Sequence, residues 1–201
     1  MKRLDNQYKF QEFRDNYPFF IYEDFYLKDD DKQIEARFHF NISDKFSFYP
    51  TISIPKNSLK NLPDMKKEVL NQLFFHIGMV ELISYWKLTC SPKVIVKPYK
   101  LNEDQIKWWK KLYYNGLGEF FYLNSIKKDI KSFMHIETKG KPVKTSDSLL
   151  NNNSVLVPVG GGKDSVVTLE ILKKSDFNII PFVMNPRDAS LRTIQIAGFS
   201  D

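Results

Sequence analysis

The sequence predicts an aromatic-rich α+β module followed by the opening of an α/β domain built on a parallel sheet. Three observations carry that reading. Residues 18–55 hold three aromatic and β-branched runs separated by short polar breaks. Residues 64–89 form one long apolar segment with helical spacing. From residue 154 onward an apolar run, a glycine loop, a helical pattern and a second apolar run follow in close succession.

The first three runs are PFFIYEDFYL, QIEARFHFNI and FSFYPTISIP, broken at Lys28–Lys32 and Ser43–Lys45. Ile34, Ala36, Phe38 and Phe40 alternate with other residues, which suits strands with one buried face, and an antiparallel meander is the simplest arrangement. In the segment 64–89, Asp64 follows Pro63 and can cap the first turn. Val69, Leu73, Ile77, Val80 and Leu88 form the predicted core stripe, widened by Leu70, Phe74 and Trp86. Residues 94–96, VIV, suit a further strand. Asn102 then caps a helix with Glu103 and Asp104 in its first turn, running to the breaker Asn115-Gly116. A short apolar run, LGEFFYL, follows at 117–123. Residues 136–153 are polar, punctuated by Gly140, Pro142 and an Asn triplet, and are expected to be a linker. The domain division is therefore 1–147 and 148–201.

Composition excludes several classes. With 42% apolar and 27% charged residues the chain is neither disordered nor collagenous. It lacks eighteen consecutive apolar residues and begins without an apolar leader, so a cytoplasmic protein with no membrane partner is expected. One cysteine, Cys90, excludes an intrachain disulfide and a multi-cysteine zinc site within these residues. The net charge of +6 is concentrated: residues 87–144 carry thirteen Lys against five acids, while the flanking regions are each close to neutral. That suits an anionic partner, a nucleotide substrate or RNA; a solvated lysine face is the alternative.

The hexapeptide GGGKDS at 160–165 carries the chemistry. Three glycines let backbone approach a ligand closely, and their N–H groups with those of a helix start make an anion cradle. Lys163 adds a mobile cation and Ser165 a hydroxyl donor. Asp164 would repel phosphate unless a divalent cation lies between them; alternatively it caps the helix. A Walker loop is excluded because position 157 is Val and Lys163 precedes Asp. A dinucleotide fingerprint starting at Gly160 would need Gly or Ala at 165.

The hexapeptide resembles the Ser-Gly-Gly-x-Asp-Ser signature of the PP-loop ATP pyrophosphatase superfamily, with the adenine nucleotide alpha hydrolase-like fold, and Gly160 replaces the first Ser. The resemblance implies that Gly160, Gly161, Gly162, Lys163, Asp164 and Ser165 face the β- and γ-phosphates of ATP. It also implies that Mg²⁺ lies near Asp164 and that Val183 and Met184 lie against adenine. The triple-glycine form, with HIGMVELISYWK at 76–87 and LYYNGLGEFFYLN at 112–124, is similar to the family of epimerases that act on UDP-N-acetylmuramoyl-L-alanyl-L-glutamate in bacterial cell-wall synthesis. That family adenylates the terminal glutamate carboxylate with ATP, releases pyrophosphate and inverts the acidified α-carbon before hydrolysis releases AMP. The partner it implies is the anionic UDP-muramoyl dipeptide; no catalytic acid or base is assigned. Another adenylating PP-loop enzyme, a tRNA-modifying enzyme or an amide-forming ligase, is the alternative, and an inactive fragment is a third reading.

Two features depart from the pattern. Pro158 and Pro181 fall inside predicted strands, where Pro removes a ladder donor. Only 36 residues follow Ser165, so the chain is expected to stop in mid-domain. Other candidates read as structural. His39, His76 and His135 share no metal spacing. His76 with Glu81, and Glu119, are possible acid–base groups but suit packing better. Trp108 and Trp109 are expected in the core, and Cys90 has no partner that would activate it.

Overall fold

The computed structural model describes residues 5–56, 67–143, 153–184 and 186–199. They show a mixed α/β architecture in two compact units, Met1–Thr145 and Ser146–Asp201.

The first unit is built on a six-stranded mixed sheet. Its elements are α1 (Gln7–Asn16), β1 (Phe19–Asp29), β2 (Gln33–Ile42), β3 (Phe46–Phe48), β4 (Thr51–Pro55), α2 (Lys67–Trp86), β5 (Lys93–Val96), β6 (Tyr99–Lys100), α3 (Glu103–Gly116), α4 (Gly118–Leu123), β7 (His135–Thr138) and β8 (Lys141–Pro142). The sheet order is β3-β2-β1-β5-β7, with β4 also paired to β2. The predicted meander is present at one end. Its third run is split, because Tyr49-Pro50 interrupts it, and β3 and β4 pair antiparallel with successive stretches of β2. The breaks fall where expected. Asp30 Oδ1 accepts from the N–H groups of Lys32 and Gln33 in one, and Ser43 and Asp44 adopt positive φ in the other. Unlike the meander, β5 runs parallel to β1, and β7 parallel to β5.

β7 corrects the predicted linker. His135–Thr138 is a sheet strand and Lys141–Pro142 pairs with β6; residues 144–152 lie outside the described residues. Strand β7 is short and alternates, with Ile136 alone fully buried, so its apolar signal is one residue deep. Gly140 turns the chain at φ +81°, and a Cβ there would meet the Lys97 carbonyl oxygen at 2.6 Å.

The core is aromatic. Phe20, Tyr22, Phe38 and Phe40 rise from one face of the sheet against Phe74, Phe75, Met79, Leu82 and Trp86 of α2. Tyr22 stacks on Phe75 at 5.9 Å. Gly78 lets the helix approach: a Cβ there would lie 2.2 Å from Tyr22 Oη. This corrects the predicted core stripe. Leu73, Val80 and Leu88 are exposed, and the face that meets the sheet is Phe74, Phe75, Gly78, Met79, Leu82 and Trp86. The helix is apolar on both sides, and the bulkier, aromatic side won the sheet. Pro63 and Asp64, the predicted start, lie outside the described residues.

Helix α3 carries the predicted cap as a full capping box, Asn102 Oδ1 accepting from Gln105 N and Gln105 Oε1 from Asn102 N. Helix α1 is pinned by Arg14, whose buried guanidinium donates to the carbonyls of Cys90 and Phe133.

The second unit contains β9 (Ser154–Pro158), α5 (Lys163–Leu172), β10 (Asn178–Phe182) and α6 (Asp188–Ile196). β9 and β10 pair in parallel from Ser154↔Asn178 to Pro158↔Phe182. The prolines fit without a bulge. Val159 N donates to Phe182 O and Asn178 N to Asn153 O, so the residues that donate between the strands have the opposite parity to Pro158 and Pro181. Val157, Val159, Leu169, Ile194 and Ala197 form the core of this unit.

Candidate functional site

The glycine loop sits where an open sheet presents ligands, beyond the carboxyl end of β9. β9 ends at Pro158 and α5 begins at Lys163, so GGGKDS spans the strand-to-helix turn. Gly162 is the N-cap residue of α5, in extended conformation, and no side chain caps this helix. The first backbone bonds of the helix run from Ser165 N and Val166 N to Gly162 O. The N–H groups of Gly161, Gly162, Lys163 and Asp164 therefore have no acceptor among the described residues. Gly160 N is satisfied locally, donating to Ser165 Oγ at 3.0 Å. Ser165 thus closes the loop on itself, a role that sequence reasoning missed by treating it only as a ligand donor.

The three glycines do different work. Gly161 has φ +83°, and a Cβ there would meet the backbone of Ala189 and Ser190 at 2.8 Å, so it seats the loop against the first turn of α6. Around Gly162 a Cβ would meet nothing within 4 Å, and around Gly160 only Ser165 Oγ at 3.9 Å. Open space lies beside those two residues. Lys163 and Asp164 are exposed in the first turn of α5, the positive end of its dipole. Donors without an acceptor among the described residues, one mobile ammonium and open space at Gly162 are the features an anion site would need. A magnesium ion accompanying it would find a carboxylate at Asp164.

Val183 and Met184 follow β10 directly, half-buried and exposed respectively. Parallel pairing sets their strand end beside that of β9, so they share an end of the sheet with the loop.

The remaining candidates are dispersed. His39 Nδ1 lies 3.9 Å from Asp24 and its ring stacks on Tyr49. His135 Nε2 lies 3.6 Å from Glu137. His76 stacks on Trp109, and burial lowers its pKa. No group of three potential metal ligands occurs among the described residues. Cys90 is buried, and desolvation pushes its thiol up to about 12, which suits packing rather than nucleophilic chemistry. Trp109 is core as expected, whereas Trp108 is 57% exposed and corrects that expectation. Glu119 is exposed in the first turn of α4.

Comparison with known proteins bears on the chain as a whole. The family model described as the MurL N-terminal domain matches residues 11–200. Curated proteins named UDP-N-acetyl-alpha-D-muramoyl-L-alanyl-L-glutamate epimerase are similar. The one from Micromonospora sp. is 28% identical over 140 residues, covering 68% of this chain and 30% of that protein. The one from Salinispora tropica is 27% identical over 123 residues, covering 61% and 26%. The one from Xanthomonas oryzae pv. oryzae is 29% identical over 97 residues, covering 48% and 21%. The chain thus spans less than a third of the length of these relatives. No solved structure matches it.

Proposed function

From the premise that this chain belongs to the MurL N-terminal domain family, we propose that it acts in the ATP-dependent epimerisation of the terminal L-glutamate of UDP-N-acetylmuramoyl-L-alanyl-L-glutamate, a peptidoglycan precursor. The observation that carries the ATP part is the cradle at residues 160–165, with four N–H groups that have no acceptor among the described residues and open space beside Gly160 and Gly162. The names of the relatives support the substrate.

In this reading the loop holds the pyrophosphate portion of ATP. The free N–H groups of residues 161–164 and the Lys163 ammonium take up negative charge as pyrophosphate leaves. Asp164 would hold Mg²⁺, which neutralises phosphate charge when bound. Val183 and Met184 offer an apolar surface for adenine at the same sheet end. The substrate carboxylate attacks the α-phosphorus of ATP, pyrophosphate departs, and the mixed anhydride acidifies the neighbouring C–H. Removal of that proton and its return to the opposite face invert the centre, and water then releases AMP.

The test is product analysis in D₂O of the full-length enzyme with ATP, Mg²⁺ and the muramoyl dipeptide. AMP, pyrophosphate and deuterium at the glutamate α-carbon are expected. Asp164→Ala should lose most AMP formation while still unfolding cooperatively. ADP as the product would sink the pyrophosphate assignment. AMP formed only in the presence of tRNA would overturn the epimerase reading and favour the tRNA-modifying one.

A further inference from the structure

Helix α6 starts at the same end of the sheet as the glycine loop, because β9 and β10 run parallel and each is followed by a helix. Its first turn lies against the loop. A Cβ on Gly161 would meet Ala189 C and Ser190 N, both at 2.8 Å. No side chain caps α6, and its N-cap residue, Arg187, is extended. The N–H groups of Ser190 and Leu191 donate to Arg187 O, whereas those of Asp188 and Ala189 have no acceptor among the described residues. Two runs of donors, at residues 161–164 and 188–189, therefore meet at one contact.

Ser190 adds a side chain that the fold itself does not use. It is 4% exposed, and its hydroxyl has no hydrogen-bond partner among the described residues. It shares the inward face of α6 with Ile194, one turn on. The Cα–Cβ bonds of a helix tilt toward its N-terminus, so this hydroxyl leans toward the end of α6 that meets Gly161. Leaving a buried hydroxyl unpaired is unfavourable, and a ligand oxygen beside the loop would satisfy it. Arg187 is exposed at the start of the helix and has no carboxylate within ion-pair distance among the described residues. Asp164 and Asp188, the acids of the two first turns, offset Lys163 and Arg187 in charge, so recognition falls to the directed donors.

We propose that the first turn of α6 binds the α-phosphate of the nucleotide, with the N–H groups of Asp188 and Ala189, the Ser190 hydroxyl and the Arg187 guanidinium as donors. The inference rests on the reading that ATP occupies this unit. In that reading pyrophosphate lies on the loop after β9, and adenine lies against Val183 and Met184 after β10. Neighbouring strands are about 4.8 Å apart, so the ribose and α-phosphate that join those two parts span the gap between the strand ends, where α6 begins. This is the portion of the nucleotide that stays on the substrate as AMP when pyrophosphate departs. As the substrate carboxylate attacks, negative charge builds on the oxygens of the α-phosphate, and fixed donors there stabilise it. A purely structural account, in which Ser190 is merely small enough to admit Gly161, predicts that Ala serves equally well.

The test is isothermal titration of the full-length enzyme with AMP and, separately, with pyrophosphate, each in the presence of Mg²⁺. Ser190→Ala and Arg187→Ala should each weaken AMP binding about tenfold, the effect of losing one hydrogen bond to a charged group, and should leave pyrophosphate within about twofold. Arg187→Lys should recover part of the loss, since it keeps the charge without the planar fork. Ser190→Ala should unfold at or above the temperature of the parent, because it removes an unpaired buried hydroxyl. Unchanged AMP affinity in either variant, or equal weakening of AMP and pyrophosphate, would overturn the proposal and leave the loop as the ATP site. A lower unfolding temperature for Ser190→Ala would place its hydroxyl in packing and overturn its role as a ligand donor. A parent enzyme that binds neither AMP nor pyrophosphate would overturn the ATP reading itself, and this proposal with it.

Discussion

Replacing Gly78 by Ala should destabilise the first unit even though Ala is the better helix former. The added methyl would lie 2.2 Å from Tyr22 Oη, 2.6 Å from Tyr22 Cζ and 2.8 Å from Phe38 Cδ1. Tyr22 and Phe38 are both fully buried, and Tyr22 is stacked on Phe75, so neither ring has room to retreat. Relief requires more than an ångström of movement between α2 and the sheet. Overpacking of this kind costs about 1–3 kcal/mol and occasionally more, against about 1 kcal/mol gained in helix propensity. The severity of the clash places the substitution at the upper end, for a net loss of about 2 kcal/mol. In a chain of this size that lowers Tm by about 4–8 °C. Thermal and urea unfolding followed by circular dichroism measure it. Gly116→Ala is the control, since a Cβ there meets nothing within 4 Å and that change should be neutral or stabilising. Tyr22 Oη has no hydrogen-bond partner among the described residues, so Tyr22→Phe should cost little and should restore part of the loss in the Gly78→Ala background. A Gly78→Ala protein as stable as the parent would refute the packing argument.

Three further outcomes are expected. Gly161→Ala combines a positive φ with a 2.8 Å approach to the α6 backbone, and should reduce ATP or pyrophosphate affinity at least tenfold by isothermal titration while leaving the thermal transition of the first unit in place. Ser165→Ala frees Gly160 N–H, and hydrogen exchange at Gly160 should accelerate whether or not nucleotide is present. Stability should fall in alkali, since burial raises the Cys90 thiol from 9.0 to about 12 and also raises the Tyr22 and Tyr113 phenols. A raised folded pKa gives stability that is complete below the unfolded value and is lost as pH climbs through the folded one. The Cys90 contribution should therefore disappear between about pH 9 and 12. Cys90→Ala should flatten that part of the pH–stability curve, and Cys90 in the parent should resist thiol reagents at pH 8 until the protein unfolds.

Much of the chain was legible because its signals are local. Polar breaks, a capping Asn and glycines are read within a few residues, so the β1–β2 hairpin, the start of α3 and the strand–loop–helix of GGGKDS appeared where residue pattern placed them. Helix α1 carried no comparable signal: its sequence QYKFQEFRDN is polar, and Phe10 and Arg14 are its only buried residues. The double role of Ser165 was likewise hidden, because a hydroxyl that closes the loop onto Gly160 looks the same in sequence as one reserved for a ligand.

By itself the sequence determined the types of β1, β2, α2, α3, β9, α5, β10 and α6, the breaks between the first strands, the aromatic character of the core and the cradle-forming composition of residues 160–165, all of which depend on spacing along the chain. Only the tertiary structure decided which of the two apolar faces of α2 meets the sheet, that Trp109 is buried while Trp108 is exposed, and that the polar stretch at 135–138 completes a parallel edge beside β5. The reason is common to all three. Each outcome depends on which partner surface is available across the fold: Phe74, Phe75 and Trp86 fill the volume opposite Phe20, Tyr22 and Phe38, and a strand with one buried side chain is held by backbone pairing that residue pattern does not reveal.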